Sequence, residues 1–206
     1  MNKASPPRVL ILACGALARE LLDIARLNDL EGVTVECLPA ALHNTPTEIP
    51  GAVAERLETV RGDYDRILLG YADCGTGGYL DTLCRNEGIE MLPGAHCYQF
   101  FAGIERFDAI HNNDPTAFYL TDYLAKHFKR LIMGGLGIDA HPELRNMYFG
   151  NYTKLIYLAQ TDDAEIEAKA REAADLLGLR YSRIDTGFGD LEDAVVQFTR
   201  REAHIS

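Results

Sequence analysis

No run in this 206-residue chain approaches the roughly 18 consecutive apolar residues of a membrane span. Positive charge is also short. The formal net charge is −11, which argues against a nucleic-acid or anionic-membrane surface, since either would need a basic face. Cysteine occurs five times, at 14, 37, 74, 84 and 97. An odd, scattered set argues against a disulfide framework, and without a Cys-x-x-Cys there is no anchor for a zinc finger or ribbon. A Walker lysine and a dinucleotide-binding fingerprint are missing as well, so Asp73-Cys74-Gly75-Thr76-Gly77-Gly78 is a weak phosphate loop. Lys3 and Arg8 ahead of Val9–Cys14 look faintly like a lipoprotein signal. The apolar stretch is shorter than a signal core of about 7–15 residues, so a cytoplasmic protein is expected.

The pattern that is present alternates strands and helices. Arg8 to Cys14 reads as a buried strand, followed by a helix to about Leu30 with Leu17, Leu21, Ile24 and Leu27 at helical spacing. Val33 to Leu38, Arg66 to Ala72 and Ile89 to Leu92 read as further strands, and Lys154 to Gln160 and Arg180 to Asp185 as the last two. Thr45-Pro46-Thr47-Glu48 has the form of a capping box opening a helix, as do Asp162 and Glu165 ahead of a helix that Gly178 stops. Asp114-Pro115 reads as the start of a helix carrying Phe118, Leu120, Tyr123, Leu124 and Phe128. The class this predicts is α/β: three layers, a mostly parallel sheet with helices on both faces, and a helical insertion at about 100–152. No long linker or sustained repeat interrupts it, so residues 1–206 are expected to form one domain.

Chemistry-bearing residues fall at the ends of the expected strands, where open α/β sheets place their ligands. Cys14 ends one strand and precedes a helix start, which favours a thiolate. Cys74 follows another, flanked by Asp73 and by Gly75, Gly77 and Gly78, whose backbone lets a ligand approach closely. His96 and Cys97 follow Pro93-Gly94, with one of the two expected to face the site. His43 lies in a turn-like run after the second strand. Sulfur and imidazole donors at one sheet edge suggest a metal-thiolate site, zinc first, with Cys14, Cys74, His96, Cys97 and His43 as ligands. Cys74, Glu20 and Asp73 are the catalytic candidates, and Arg19, Asp122 and Asp139 further groups within possible reach. Cys37 and Cys84 read as core thiols. His111, His127 and His204 read as surface residues and His141 as a turn residue. Tyr119, Tyr123 and Tyr148–Tyr152 could wall a pocket, though aromatic sets at helical spacing more often pack a core.

Taken with Phe118–Leu124, Pro142–Arg145 and Thr186–Glu192, the segments Cys14-Gly15, Leu42-His43-Asn44, Asp73-Cys74-Gly75 and Pro93-Gly94-Ala95-His96-Cys97 resemble the DUF1638 family over roughly Arg8 to Glu192. The resemblance implies an association with corrinoid-dependent methyl transfer from methylamines or betaines, hence one-carbon metabolism. It also implies a small-molecule substrate and a corrinoid-carrying partner protein. The chain lacks an Asp-x-His-x-x-Gly loop of the kind that carries the lower corrinoid ligand, so it is not expected to be that carrier. A zinc-thiolate methyltransferase is therefore the leading expectation. A non-catalytic accessory protein that binds a cofactor or metal, and a metal-free cysteine enzyme, are the alternatives.

Overall fold

Val-Leu-Ile-Leu-Ala-Cys is apolar at every position, and only a strand covered on both faces can bury such a run. In the computed structural model, which describes residues 6–201, it is β1 (Val9–Cys14), buried throughout. Three strand–helix steps follow: α1 (Ala18–Leu27), β2 (Val33–Leu38), α2 (Ile49–Val60), β3 (Arg66–Gly70), α3 (Tyr79–Glu87) and β4 (Glu90–Met91). The strands form a parallel sheet in the order β2-β1-β3-β4, with Val9 paired to Val33 on one side and to Arg66 on the other. Leu10, Leu12 and Cys14 present one face of β1 to Ile49, Val53 and Leu57 of α2 and to Leu80 and Cys84 of α3. Gly88, in the left-handed conformation, ends α3.

The chain divides into two compact units, and this sheet belongs to the first, which runs to Cys97 and resumes at Leu191. The second, Tyr98–Asp190, contains α4 (Cys97–Ala102, its first residue being the last of the first unit), α5 (Ile104–Asn113), β5 (Ala117–Leu120), α6 (Asp122–Lys126) and a π-helix at Lys129–Gly134. After these come α7 (Leu144–Phe149), β6 (Lys154–Ala159), α8 (Ala164–Leu177) and β7 (Arg180–Asp185). Its parallel sheet has the order β5-β6-β7. Leu155, Tyr157 and Ala159 pack with Leu124 and Ala125 of α6 and with Ala170, Ala173 and Ala174 of α8. The closing helix α9 (Asp190–Arg200) returns the chain to the first unit, where the Arg66 guanidinium lies 4.0 Å over the Phe198 ring.

The fold is α/β, with helices around parallel strands, but the strands make two sheets where one was expected. The stretch 100–152 is not wholly helical. Residues 117–120 pair with Lys154–Tyr157 as β5, a partner too distant in sequence for local spacing to reveal. The turn after it is capped by Thr121, whose hydroxyl accepts from Leu124 N at 3.4 Å. Pro46–Glu48 forms a 3₁₀ turn and α2 begins only at Ile49. Thr45 turns its hydroxyl to the Glu48 carboxylate at 3.4 Å instead of capping the backbone. On α8 the cap is Asp163, not Asp162: its carboxylate accepts from Glu165 N at 2.9 Å and Ile166 N at 3.2 Å. No described helix is long and apolar enough to cross a membrane.

Candidate active site

In the first unit the chain steps from β1 to β2 on one side and crosses to β3 on the other, so the topological switch lies between β1 and β3. Ligands of open α/β sheets sit beyond the carboxyl ends of the strands at such a point. Every strand of this sheet delivers a sulfur or imidazole there. β1 ends at Cys14, and β2 runs into a 3₁₀ helix, Ala40–Asn44, that carries His43. β3 leads through Tyr71 to Cys74, and β4 through Leu92–Ala95 to His96 and Cys97.

Two backbone hydrogen bonds tie the loops after β3 and β4: Asp73 N to Gly94 O at 3.2 Å and Cys74 N to Ala95 O at 2.9 Å. They bring Cys74 Sγ to 3.4 Å from Cys97 Sγ. Cys74 has φ +49°, the left-handed region that a residue with a Cβ seldom adopts, a strain of the kind that collects at functional positions. The two thiols separate in acidity. The hydrogen bond from Cys97 holds Cys74 below an ordinary thiol, assisted by the backbone of Ala72 and Cys97. The same contact, with burial, raises Cys97 well above it. Of the pair, Cys74 is the more acidic thiol and Cys97 the one that holds its proton more tightly.

Cys14 is 6% exposed and burial pushes its thiol up to about 11. Beside it stands a residue that the sequence reading passed over. Tyr71 is 1% exposed, and its hydroxyl, buried without a bond of ordinary geometry to any described residue, lies near enough to the Cys14 sulfur to lower that thiol's pKa against burial. Burial raises its pKa far above the usual phenol value, and the nearby Cys14, Cys74, Cys97 and Cys37 raise it further. A phenol that stays protonated among thiols is a hydrogen-bond donor, and the Cys14 sulfur is the acceptor beside it. Its place immediately after β3 was the available signal.

Asp73 is a positioning residue. Its carboxylate accepts from Thr76 Oγ1 at 2.9 Å, Gly77 N at 3.2 Å and Gly78 N at 2.6 Å, and these bonds, led by Gly78, lower its pKa. The N–H groups of Gly77 and Gly78, expected to cradle a cofactor, are thus committed to Asp73, while Gly75 stands over the Pro46 ring. A depressed carboxyl pKa stabilises the folded loop above the unfolded value near 4, and that contribution is lost as pH falls through the folded value. Asp73→Ala, or acidification of the unaltered chain through the folded value, below about pH 4, is expected to lower the protection of the Gly77 and Gly78 amides, read as exchange relative to the intrinsic rate at the same pH. Unchanged protection in both cases would contradict this role.

The other candidates spread around this centre. His43 is held below an ordinary imidazole, first by desolvation of its ring and then by His96. Glu20 is buried in the first turn of α1, and Arg19 pairs with Asp23 at 3.8 Å. Cys37 is exposed rather than a core thiol: it lies near the end of β2, the edge strand of its sheet, none of whose residues is fully buried. Cys84 is buried in α3. Asp122 belongs to the second unit, where its carboxylate accepts from Tyr157 Oη (2.6 Å), Gln160 N (3.0 Å) and Thr161 Oγ1 (2.5 Å). Asp139 is exposed. Most of the aromatic set is core, with Phe118 meeting Phe149 edge-on at 5.1 Å and Tyr152 at 5.7 Å and Tyr119 packing on Phe107 at 4.9 Å, but Tyr148 is exposed. His111 stacks on Phe107, His127 lies beside Tyr123, and His141 faces Glu143. His204 lies outside the described residues.

Cys74 and Cys97 are the two expected ligands brought into contact. Among the described residues, no three His, Cys, Asp or Glu side chains are arranged to hold a metal ion. The donor types suit zinc, but this arrangement assembles two donors, short of the three or four of a zinc shell.

An α/β unit with thiols at its switch point is the class that fold and site define. Residues 37–195 match the family described as "Protein of unknown function (DUF1638)", and the chain belongs to that family. The matched span includes His43, Cys74, His96 and Cys97, with Cys14 and Glu20 before it. No curated protein matches the chain.

Proposed function

We propose that the first unit is an enzyme centre that works through the Cys74 thiolate on a small electrophilic substrate. The observation that carries this reading is the 3.4 Å sulfur–sulfur contact at the switch point, with Cys74 more acidic and Cys97 less acidic than an ordinary thiol. Cys74 Sγ supplies an electron pair to an electrophilic carbon. The carbon–sulfur bond forms as the bond to the leaving group breaks, and that group departs with its electron pair and takes up a proton. A second nucleophile, water or a thiol, then displaces Cys74 and restores the thiolate. Cys97 makes Cys74 easier to ionise, and the Tyr71 hydroxyl could donate to negative charge that develops beside it.

This chemistry suits an acyl-type carbon, since a thioester exchanges with nucleophiles whereas a methyl thioether holds its methyl group. Methyl transfer, with a methylamine or betaine donor and a corrinoid-carrying partner, therefore goes with the second reading, in which zinc activates a substrate thiol. The delivery of one donor by each strand of the sheet favours it. In that case Cys74 and Cys97, with Cys14 and His96 or His43, would hold the metal.

Elemental analysis of the purified full chain separates the two. The metal-free thiolate reading expects well under one zinc per chain and no retention of added zinc after desalting. About one tightly held zinc, lost in both Cys74→Ser and Cys97→Ser, would overturn it in favour of the metal-thiolate form.

A further inference from the structure

Lysine is scarce in this chain, with five at 3, 126, 129, 154 and 169. Three of the five line one groove of about 330 Å³ in the second unit, together with Arg130 and His127. One wall is the segment from Ala125 to Arg130, at the end of α6 and the start of the π-helix. The other is a single face of α8: Lys169, Glu172, Ala173 and Leu176, spaced by three, one and three residues. Four permanent cations thus face one carboxylate, in a chain whose net charge is −11. Lys129 pairs with Glu172 at 2.7 Å and Lys169 with Glu165 at 2.6 Å. Lys126 and Arg130 have no carboxylate partner among the described residues.

Two further features mark a built site. Wide π turns are uncommon and recur where side chains are re-aimed for function, and this one begins at Lys129. The floor is apolar, with Phe128 and Ala173 buried and Leu176 36% exposed at the rim. Cations above an apolar floor match a small molecule that has an anionic end and a less polar body.

We propose that this groove binds a phosphorylated small molecule, with phosphate oxygens held by Lys126, Arg130 and Lys169 and the remainder lying on Phe128 and Leu176. A phosphate dianion matches this density of cations, and a single carboxylate would leave it largely unneutralised. A nucleic acid is disfavoured because the rest of an acidic chain would repel the polymer. Lys129 and Glu172 form one edge, and the competing carboxylate of Glu172 tempers affinity. His127 reports occupancy. Its ring is held below an ordinary imidazole by desolvation and by Arg130, Lys126 and Lys169, with Glu172 the opposing charge across the groove, so a bound anion moves its titration upward.

The probes are adenosine monophosphate and inorganic phosphate, each titrated into the full chain by calorimetry while the His127 ring resonances are followed. Adenosine monophosphate is expected to bind more tightly than phosphate, to raise the His127 titration midpoint, and to weaken as ionic strength rises. Lys126→Ala combined with Arg130→Ala, checked for folding by circular dichroism, is expected to weaken it about tenfold or more. Glu172→Gln is expected to tighten it. Equal affinity for the two probes, no binding of either, or binding unchanged in the double variant would each overturn the proposal.

Discussion

Cys74→Ser is expected to remove the one fast-reacting thiol of the folded chain. Cys14 and Cys84 titrate at about 11, so at pH 7 roughly one in ten thousand of either is thiolate. A thiol held below its ordinary value near 9 is ionised in at least roughly one molecule in a hundred. The more acidic thiolate is intrinsically less nucleophilic, by about tenfold over two pH units, which leaves Cys74 ahead by about tenfold or more. Burial of Cys14 and Cys84 widens the gap, and Cys37, exposed but with a raised pKa, is the slow background. Iodoacetamide labelling followed by peptide mass analysis gives the rates site by site. Cys97→Ala removes the donor, so the Cys74 labelling profile should move to higher pH. Cys97→Ser keeps a donor and should restore much of the shift. If Cys74 labels no faster than Cys84, or Cys97→Ala leaves its profile in place, the pair does not activate Cys74.

Gly189→Ala is expected to be the most damaging small substitution in the second unit, costing roughly 4 kcal/mol. Gly189 sits at φ +54°, and a Cβ there would lie 2.2 Å from Phe101 O and 2.5 Å from Phe100 O. Neither carbonyl belongs to a side chain that can swing aside, so the backbone of α4 or the segment Thr186–Asp190 must move. Gly178→Ala is the control. It shares a positive φ, +71°, but a Cβ would meet nothing within 4 Å, so only backbone strain remains, about 1 kcal/mol. Urea unfolding of the two variants compares them directly. Equal midpoints would mean that the close approach is not rigid.

The chain announced the first sheet because β1 is an unbroken apolar run, Val9–Cys14, and the strands after it follow helix stops or turns, such as Gly88 after α3. β5 was hidden. Its four residues sit behind Asp114-Pro115, which looks like a helix start, and its ladder partner begins more than thirty residues later at Lys154. Division of the strands into two sheets was illegible for the same reason, since pairing between distant segments leaves no local period. At the site, strand-end position was enough to single out Cys14, Cys74 and Cys97. The meeting of Cys74 with Cys97 depends on two backbone bonds between loops about twenty residues apart, which spacing does not encode. Tyr71 was missed because a tyrosine at the end of an apolar strand reads as packing. The role of Asp73 was misread because its partners are backbone amides of its own loop.

The first unit is written in two pieces, with residues 98–190 between them. At ordinary translation speeds of about 5–20 residues per second, synthesis of that intervening stretch takes roughly 5–20 s. During that interval the thiol-bearing sheet lacks Leu191, Val195 and Phe198, three side chains that end up buried in α9. Completion order on the ribosome is thus inside-out: the later, enclosed unit has all of its strands before the earlier one receives its last helix.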